Sequence, residues 1–342
     1  MVATLQLVCE GVSPVADKIK CLRFRILGPR DERWTLTAGR YVQIIYPDTQ
    51  GVRQQRCYSV TRVLSTNVFE VVVKRSGHQR VSDNLFDKIA GGDLLQLCGV
   101  GGAITVERLT SSKTVLLLAG GIGLTLPIAL VRELKQLSDE GQQVPHVTLL
   151  ACSSVQAEMP FQHELTALAA NENWFSANLH VTREPASLPL KEGRLDSTCI
   201  AAMSRPDTVV ICGSGGFAKS MRALVLQSFP QADILVEAFS PVASEAVPIP
   251  AATAEGARLQ VAGTGVSLPL QAGRSLLDHL LDEQVAIANE CRSGICGSCK
   301  VRLVEGECQH EMDFALAQHE RDQGYVLACC CYPKDGSLTI AI

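Results

Sequence analysis

Residues 291–300 read CRSGICGSCK, and a further cysteine, Cys329, follows Cys299 after 29 intervening residues. Cys291, Cys296, Cys299 and Cys329 thus stand in a C-x4-C-x2-C-x29-C spacing, the thiolate pattern that holds a [2Fe-2S] cluster. A loop carrying three ligands must wrap a compact inorganic core, and small residues make that possible. Gly294, Gly297 and Ser298 fill the gaps, where bulk would keep backbone amides from the sulfurs. Zinc is the rival, because Cys296-Gly-Ser-Cys299 is also a C-x2-C pair. A zinc ribbon needs a second such pair or an H-x3-5-H, and neither follows. Cys329 heads a run of three cysteines with Cys330 and Cys331; spacing favours Cys329 as fourth ligand and leaves the others as buried or spare thiols. Such a chain moves electrons singly.

The chain has 342 residues, enough for two or three domains, and the cluster loop belongs to its last quarter. With 46% hydrophobic residues, 19% charged residues and a net charge of -4, it has the composition of a soluble globular protein and no basic footprint for nucleic acid. Partners are expected to be proteins or small molecules. Fourteen cysteines invite a disulfide reading, but no basic and then apolar N-terminal signal precedes them, and four are assigned to iron. A reducing cytoplasmic location is expected. Residues Val115–Val131, VLLLAGGIGLTLPIALV, approach membrane-spanning length. Gly120, Gly121, Gly123 and Pro127 interrupt them, so they read as a buried parallel strand, a glycine turn and a helix start, with no membrane span.

Residues 1–106 carry short β-rich runs such as Tyr41–Tyr46 (YVQIIY) and Val68–Lys74 (VFEVVVK), punctuated by Pro47-Asp48 and Ser76-Gly77. That texture predicts an antiparallel β-barrel. Over 107–240, strand candidates Val115–Ala119, His146–Ala151, Asn178–Thr182 and Thr208–Cys212 alternate with helical patterns at Ile128–Leu137 and Lys219–Ser228. This alternation predicts a parallel α/β sheet. Residues 241–256 (PVASEAVPIPAATAEG) hold three prolines and no apolar period, so they read as a linker or as an ordered strap between domains. Residues 257–342 form the cluster domain, with strands expected at Arg258–Val261 and Ser337–Ile342 and a helix at Ser275–Gln284.

Within the barrel region, Arg56-Cys57-Tyr58-Ser59 offers an aromatic face for an isoalloxazine ring, a hydroxyl for its polar edge and a cation for its phosphates. Four residues are weak alone, and an ordinary wet strand face explains them equally. Gly77–Leu85 (GHQRVSDNL) adds Ser82 and free amides where a pyrophosphate can sit. In the second region, Gly120-Gly121-Ile122-Gly123-Leu124-Thr125 follows an apolar strand and opens a helix, a context for binding a dinucleotide although not a G-x-G-x-x-G fingerprint. A matching loop, Cys212-Gly213-Ser214-Gly215-Gly216, ends another strand. Cys212 reads either as a contact to nicotinamide or as a small buried thiol.

In this order, R-x-Y-S, G-x-x-x-x-S-x-x-L, G-G-I-G-x-T, C-G, Glu237-Ala238-Phe239 and the cluster motif resemble the ferredoxin-NADP reductase-type flavoproteins fused to a C-terminal plant-type ferredoxin. The resemblance covers essentially the whole chain. Within that group it most resembles the NADH oxidoreductase that serves the hybrid cluster protein, with reductase components of Rieske-type and other bacterial oxygenases also similar. It implies a β-grasp-like cluster domain, FAD rather than FMN, and a role for each matching residue. Arg56, Tyr58 and Ser59 go to the flavin, with Lys74 and Ser82 near its ribityl and phosphate part. Gly120, Gly121, Gly123, Thr125 and Gly213 go to the nicotinamide cofactor. Cys212 lies near the hydride path, and Glu237 and Phe239 lie close to the flavin ring. Ser59, Cys212 and Glu237 are thereby the catalytic candidates.

Two departures matter. G-G-I-G-L-T-L-P displaces Pro127 by one place and leaves the helix start open. Cys152-Ser153-Ser154 lacks the arginine that would bind a 2'-phosphate, which favours NADH over NADPH, although Arg183 is not far along the chain. The expected function is transfer of electrons from NADH through FAD and the cluster to an acceptor protein, either a hybrid cluster protein or an oxygenase component. The rivals are a flavin or quinone reductase and a redox-sensing interaction protein. Glu305, Glu307, Glu311 and Asp313 would guide a basic acceptor, or form no more than a solvated face.

Overall fold

In the computed structural model, residues 4–51, 53–77, 81–239, 256–271, 273–289, 294, 296–310 and 313–342 are described. Cys291, Glu311 and all but the last residue of the 241–256 linker lie outside that set.

The first region closes a sheet on itself. Its strands are β1 (Leu5–Ala16), β2 (Ile19–Leu27), β3 (Tyr41–Pro47), β4 (Arg53–Ser65), β5 (Val68–Lys74) and β6 (Leu94–Gly101), with α1 (Val81–Lys88) between the last two. They pair in the order β1-β2-β5-β4-β3-β6, and β6 returns to β1 from Leu5↔Leu97 to Val8↔Leu94. Closure removes the open edges that an antiparallel sheet would expose. Leu22, Phe24, Ile44, Val60, Phe69 and Leu97 fill the interior, and each such side chain is worth about 1.5–3 kcal/mol when fully buried. On α1, Val81 and Leu85 join this core. Asp83 accepts the backbone amides of Ser76 (2.5 Å) and Gly77 (3.1 Å), which fixes the turn before the helix.

The second region comprises α2 (Val106–Thr110), β7 (Thr114–Gly120), α3 (Thr125–Asp139), β8 (His146–Ser153), α4 (Gln162–Asn171), β9 (Phe175–Val181), β10 (Lys191–Glu192), α5 (Ser197–Ala201), β11 (Thr208–Ser214), α6 (Gly215–Ser228) and β12 (Asp233–Phe239). The sheet order is β10-β9-β8-β7-β11-β12, parallel from β10 through β11. The chain starts at β7, works outward to β10 and returns to β11 on the other side. The switch point therefore falls between β7 and β11, where open α/β sheets bind ligands. The apolar run 115–131 becomes β7, a 3-10 turn (Gly121–Leu124) and α3. Pro127 sits in the first turn of α3, where a missing N–H costs nothing, which answers the open helix start. Among the described residues no helix is long and apolar enough to cross a membrane. β9 starts three residues before the expected Asn178 because Phe175 is buried and pairs with Val147 of β8. Barrel and parallel sheet together form one compact unit, Met1–Gly213 with Phe217–Glu237.

The C-terminal unit contains β13 (Arg258–Val261), β14 (Val266–Pro269), α7 (Leu276–Asp282), β15 (Lys300–His310), α8 (Gln318–Asp322), β16 (Tyr325–Leu327) and β17 (Cys331–Ala341). Its sheet runs β14-β13-β17-β15-β16, with β13 and β17 parallel. Ser275 caps α7 by accepting the amide of Asp278 at 3.1 Å, and Leu276, Leu277 and Leu280 pack inward. His279 is buried with both ring nitrogens used: Nε2 accepts the amide of Gln271 and Nδ1 pairs with the Ser275 carbonyl, each at 2.8 Å.

Candidate functional site

Ser59 on β4 of the barrel and Glu237 on β12 of the second region meet: Ser59 Oγ donates to Glu237 Oε1 at 2.7 Å, buried. Among the described residues no cation offsets the carboxyl. Burial pushes its pKa up to about 7, and the hydrogen bond from Ser59 pulls the other way. Cys212, near the end of β11, is wholly buried. Burial and the adjacent Glu237 charge hold its thiol well above the usual range, so it stays a neutral thiol, with a hydrogen bond from the Leu126 backbone. The three catalytic candidates therefore share one buried neighbourhood at the switch point. Phe239 closes β12 and is half-buried.

Tyr58 and Ser82 were singled out in separate motifs, and the fold joins them with a 3.1 Å hydroxyl–hydroxyl contact. Burial raises the Tyr58 phenol to about 12, so it remains neutral with its ring held in place. Arg56 turns along its own strand, donating to the Gln55 carbonyl at 2.7 Å and to the Gln54 side chain. Lys74 pairs with Glu158 Oε2 at 2.7 Å, and Lys18 takes Oε1 of the same carboxylate at 2.7 Å. The Lys74 amine thus fastens barrel to parallel sheet. Neighbouring Asn84 donates to the carbonyls of Pro47 and Asp48, but its buried Oδ1 has no partner among the described residues. An orphaned buried acceptor beside Ser82 suits a hydroxyl-bearing ligand such as the ribityl part of a flavin.

The glycine turns separate into two kinds. At Gly123 a Cβ would stand 2.2 Å from the Cys212 carbonyl oxygen, while at Gly120 and Gly213 it would strike the Phe217 ring at 2.8 and 2.7 Å. These three are glycines because the loops after β7 and β11 pack on each other. Gly121 differs: its φ is +56° and nothing lies within 4 Å of its missing side chain. It is the position where a ligand can approach the backbone. Thr125 is buried and donates to the Ile122 carbonyl at 3.0 Å, closing the turn. At the ends of β8 and β9, Ser153 Oγ and His180 Nδ1 are buried without partners among the described residues. Burial lowers the His180 pKa, so the ring is neutral there. Cys152 lies opposite His180 and Ser153 opposite Val181, so the Ser153 and His180 side chains leave opposite faces of the sheet and do not form one subsite. Arg194 lies near enough to favour the Cys152 thiolate, although burial dominates and raises that thiol to about 11.

In the C-terminal unit, Cys299 and Cys329 are in side-chain contact, and Cys296 is close enough to act on Cys299. The Gly294 backbone offers Cys329 a hydrogen bond. Cys330 Sγ lies 3.5 Å from Cys329 Sγ, whereas Cys331 contacts Cys308 on β15. Among the described residues no cage of three or more metal-binding side chains is closed. A thiol pair, a third thiol nearby and an amide directed at sulfur nonetheless match the donors that a [2Fe-2S] cluster requires, with Cys291 outside the described residues. The local motifs did not reveal Glu158 or Arg132, because nothing in their spacing carries chemistry, and Asn84 lay inside the Gly77–Leu85 motif without being singled out.

A reductase fold built from a flavin-type barrel and a nucleotide-type sheet, followed by a domain with convergent thiols, defines a flavin- and iron-sulfur-dependent electron-transfer oxidoreductase. Residues 259–334 match the 2Fe-2S iron-sulfur cluster binding domain. The ferredoxin reductase component of 3-ketosteroid-9-alpha-monooxygenase from Rhodococcus rhodochrous is 25% identical, covering 96% of this chain and 95% of that protein. The reductase subunit of the toluene-4-sulfonate monooxygenase system from Comamonas testosteroni is 26% identical over 90% and 89% of the two chains. Phthalate dioxygenase reductase shares the fold, with a TM-score of 0.69, 22% identity and coverage of 99% and 98%.

Proposed function

We propose that this chain is the reductase component of an oxygenase system, drawing electrons from NADH through FAD and a [2Fe-2S] cluster held by Cys291, Cys296, Cys299 and Cys329. The observation that carries the reading is the near end-to-end match to relatives named as oxygenase reductases, with the same modular fold. The hybrid cluster protein, the other acceptor raised by the resemblance, is named in none of these relatives. Ser153, the last residue of β8, and Ser154 support NADH over NADPH, since neither brings a cation to a 2'-phosphate; Arg183, whose backbone amide donates to the Ser154 carbonyl at 2.9 Å, is the cation that counts against this choice.

A bound flavin accepts the two electrons of a hydride and releases them one at a time, and a bound cluster carries single electrons onward. The protein orients and tunes. Tyr58 holds an aromatic face through Ser82, and the open backbone at Gly121 admits a nucleotide. While Glu237 is ionised, Ser59 gives its only proton to Oε1 and keeps lone pairs alone for other contacts. When Glu237 is protonated it can donate to Ser59, whose O–H is then released to donate elsewhere. With Glu237 titrating at about 7, the pair can serve either as acceptor or as donor near neutral pH. The neutral Cys212 thiol adds no charge beside it.

The test is Cys296→Ser in the full chain. NADH-driven cytochrome c reduction should vanish while ferricyanide reduction persists; parallel loss of both in a folded, flavin-loaded variant would refute serial transfer. Reduction of a cognate oxygenase component should greatly outpace that of free flavin or quinone, and kcat/KM should be higher for NADH than for NADPH.

A further inference from the structure

The proposed ligand set leaves three sulfurs of the C-terminal unit unused: Cys308, Cys330 and Cys331. We propose that Cys308 and Cys331 form a peroxide-responsive dithiol that closes to a reversible disulfide between β15 and β17, leaving the cluster ligands intact.

The sheet register sets this pair. Cys331 lies opposite His310 and Cys308 opposite Pro333, so the two cysteines are diagonal neighbours on one face of an antiparallel ladder. A register shift between Glu307 and Cys308 bends β15 at this point, and such bulges re-aim side chains. The two thiols lie close enough to act on each other. Cys329 pairs instead with Cys299, Cys330 and the Gly294 backbone, and it acts on Cys331 only through its charge. Ligand and dithiol functions thus fall to different sulfurs of one array. Cys331, Cys330 and Cys329 are buried, whereas Cys308 is half-buried and is the member an oxidant from solvent meets first.

The chemistry balances with hydrogen peroxide as the oxidant. The Cys308 sulfur attacks one peroxide oxygen; an S–O bond forms, the O–O bond breaks, and the leaving oxygen departs as water with the thiol proton, leaving a sulfenic acid. The Cys331 sulfur then attacks the Cys308 sulfur; S–S forms, S–O breaks, and a second water carries away the second thiol proton. Two thiols lose two electrons in all, and one peroxide becomes two waters. One peroxide is thereby consumed at the edge of the array before it reaches the buried thiols, and a thiol reductant reopens the pair.

The experiment treats the cluster-loaded full chain with stoichiometric hydrogen peroxide, blocks free thiols, and maps peptides without reduction while cluster absorbance is followed. The expected product is a cross-linked peptide pair joined at Cys308 and Cys331, about 2 Da below the summed thiol masses, absent after dithiothreitol treatment, with cluster absorbance retained. Cys308→Ser should lose the cross-link and bleach several-fold faster under peroxide. Cys308→Val, matching size without sulfur, should behave likewise and serves if the serine variant fails to load. A Cys308 left as free thiol, one carried to sulfinic acid, or a cross-link to Cys329 with cluster loss would each overturn the proposal, as would bleaching unchanged in a loaded variant.

Discussion

The barrel and the parallel sheet are joined by two contrasting sets of contacts, each centred on a glutamate. Glu237 is buried against a single hydroxyl, and its carboxyl is raised to about 7. Glu158 is gripped by Lys18 and Lys74, each at 2.7 Å, and its carboxyl is held below the usual range by those two partners. The same side chain is a fastener where its charge is compensated and a titrating group where it is not. Arg132 belongs with the fasteners: it forks onto Glu164 at 2.7 and 2.6 Å and donates to the Thr61 carbonyl of the barrel at 3.0 Å. The proposed chemistry falls to the buried contact, and mutations should separate the two kinds.

The largest effect is expected at Glu237→Gln. Single-turnover reduction by NADH should slow by about 100-fold, the lower range for loss of an acid/base group. Wild type should slow as pH rises through about 7, because protonated Glu237 frees Ser59 to donate toward developing negative charge. The glutamine variant should be flat across that range in stopped-flow traces. Stability gives an independent reading. As pH rises from the unfolded carboxyl's ordinary range toward 7, the unfolded chain gives up this proton while the folded chain keeps it. Stability must then fall, by about 3 kcal/mol in total from this one group. Denaturant titrations should show that decline in wild type and lose this contribution in the variant. A variant with an unchanged pH slope would mean that Glu237 is compensated like Glu158.

Ser59→Ala should act in the same place with a smaller effect on rate. The hydroxyl lowers the Glu237 pKa, so without it the decline of stability with pH should extend above 7, while the bend in rate, which needs the Ser59 proton, should disappear. A decline that ends at the same pH as in wild type would show that the 2.7 Å contact does not tune the carboxyl.

These two sets of contacts also differ in how far the chain announces them. A cluster imposes spacing on its ligands, so the proposed ligands Cys296, Cys299 and Cys329 stand out as a pattern. The barrel and sheet were legible too, since VFEVVVK and VLLLAG are long apolar runs that only buried strands accommodate. Ser59 and Glu237 are 178 residues apart, and only the resemblance to known flavoproteins singled both out. Nothing pointed to Glu158, whose importance comes from two lysines brought to it by the barrel. The glycines were legible as a motif but not in their causes: Gly123 is packed against Cys212, whereas Gly121 and Gly216 face open space.

Among the fasteners the effects should be on stability. Arg132→Ala removes charge-assisted hydrogen bonds from a largely buried guanidinium, a loss of about 2 kcal/mol in urea titrations. Lys18→Ala should do least, since its side chain is 52% exposed and Lys74 still holds Glu158. Its melting temperature should match wild type within measurement error, at low and high salt alike. A marked, salt-sensitive drop would show that Glu158 needs both lysines and that this contact is a cooperative network.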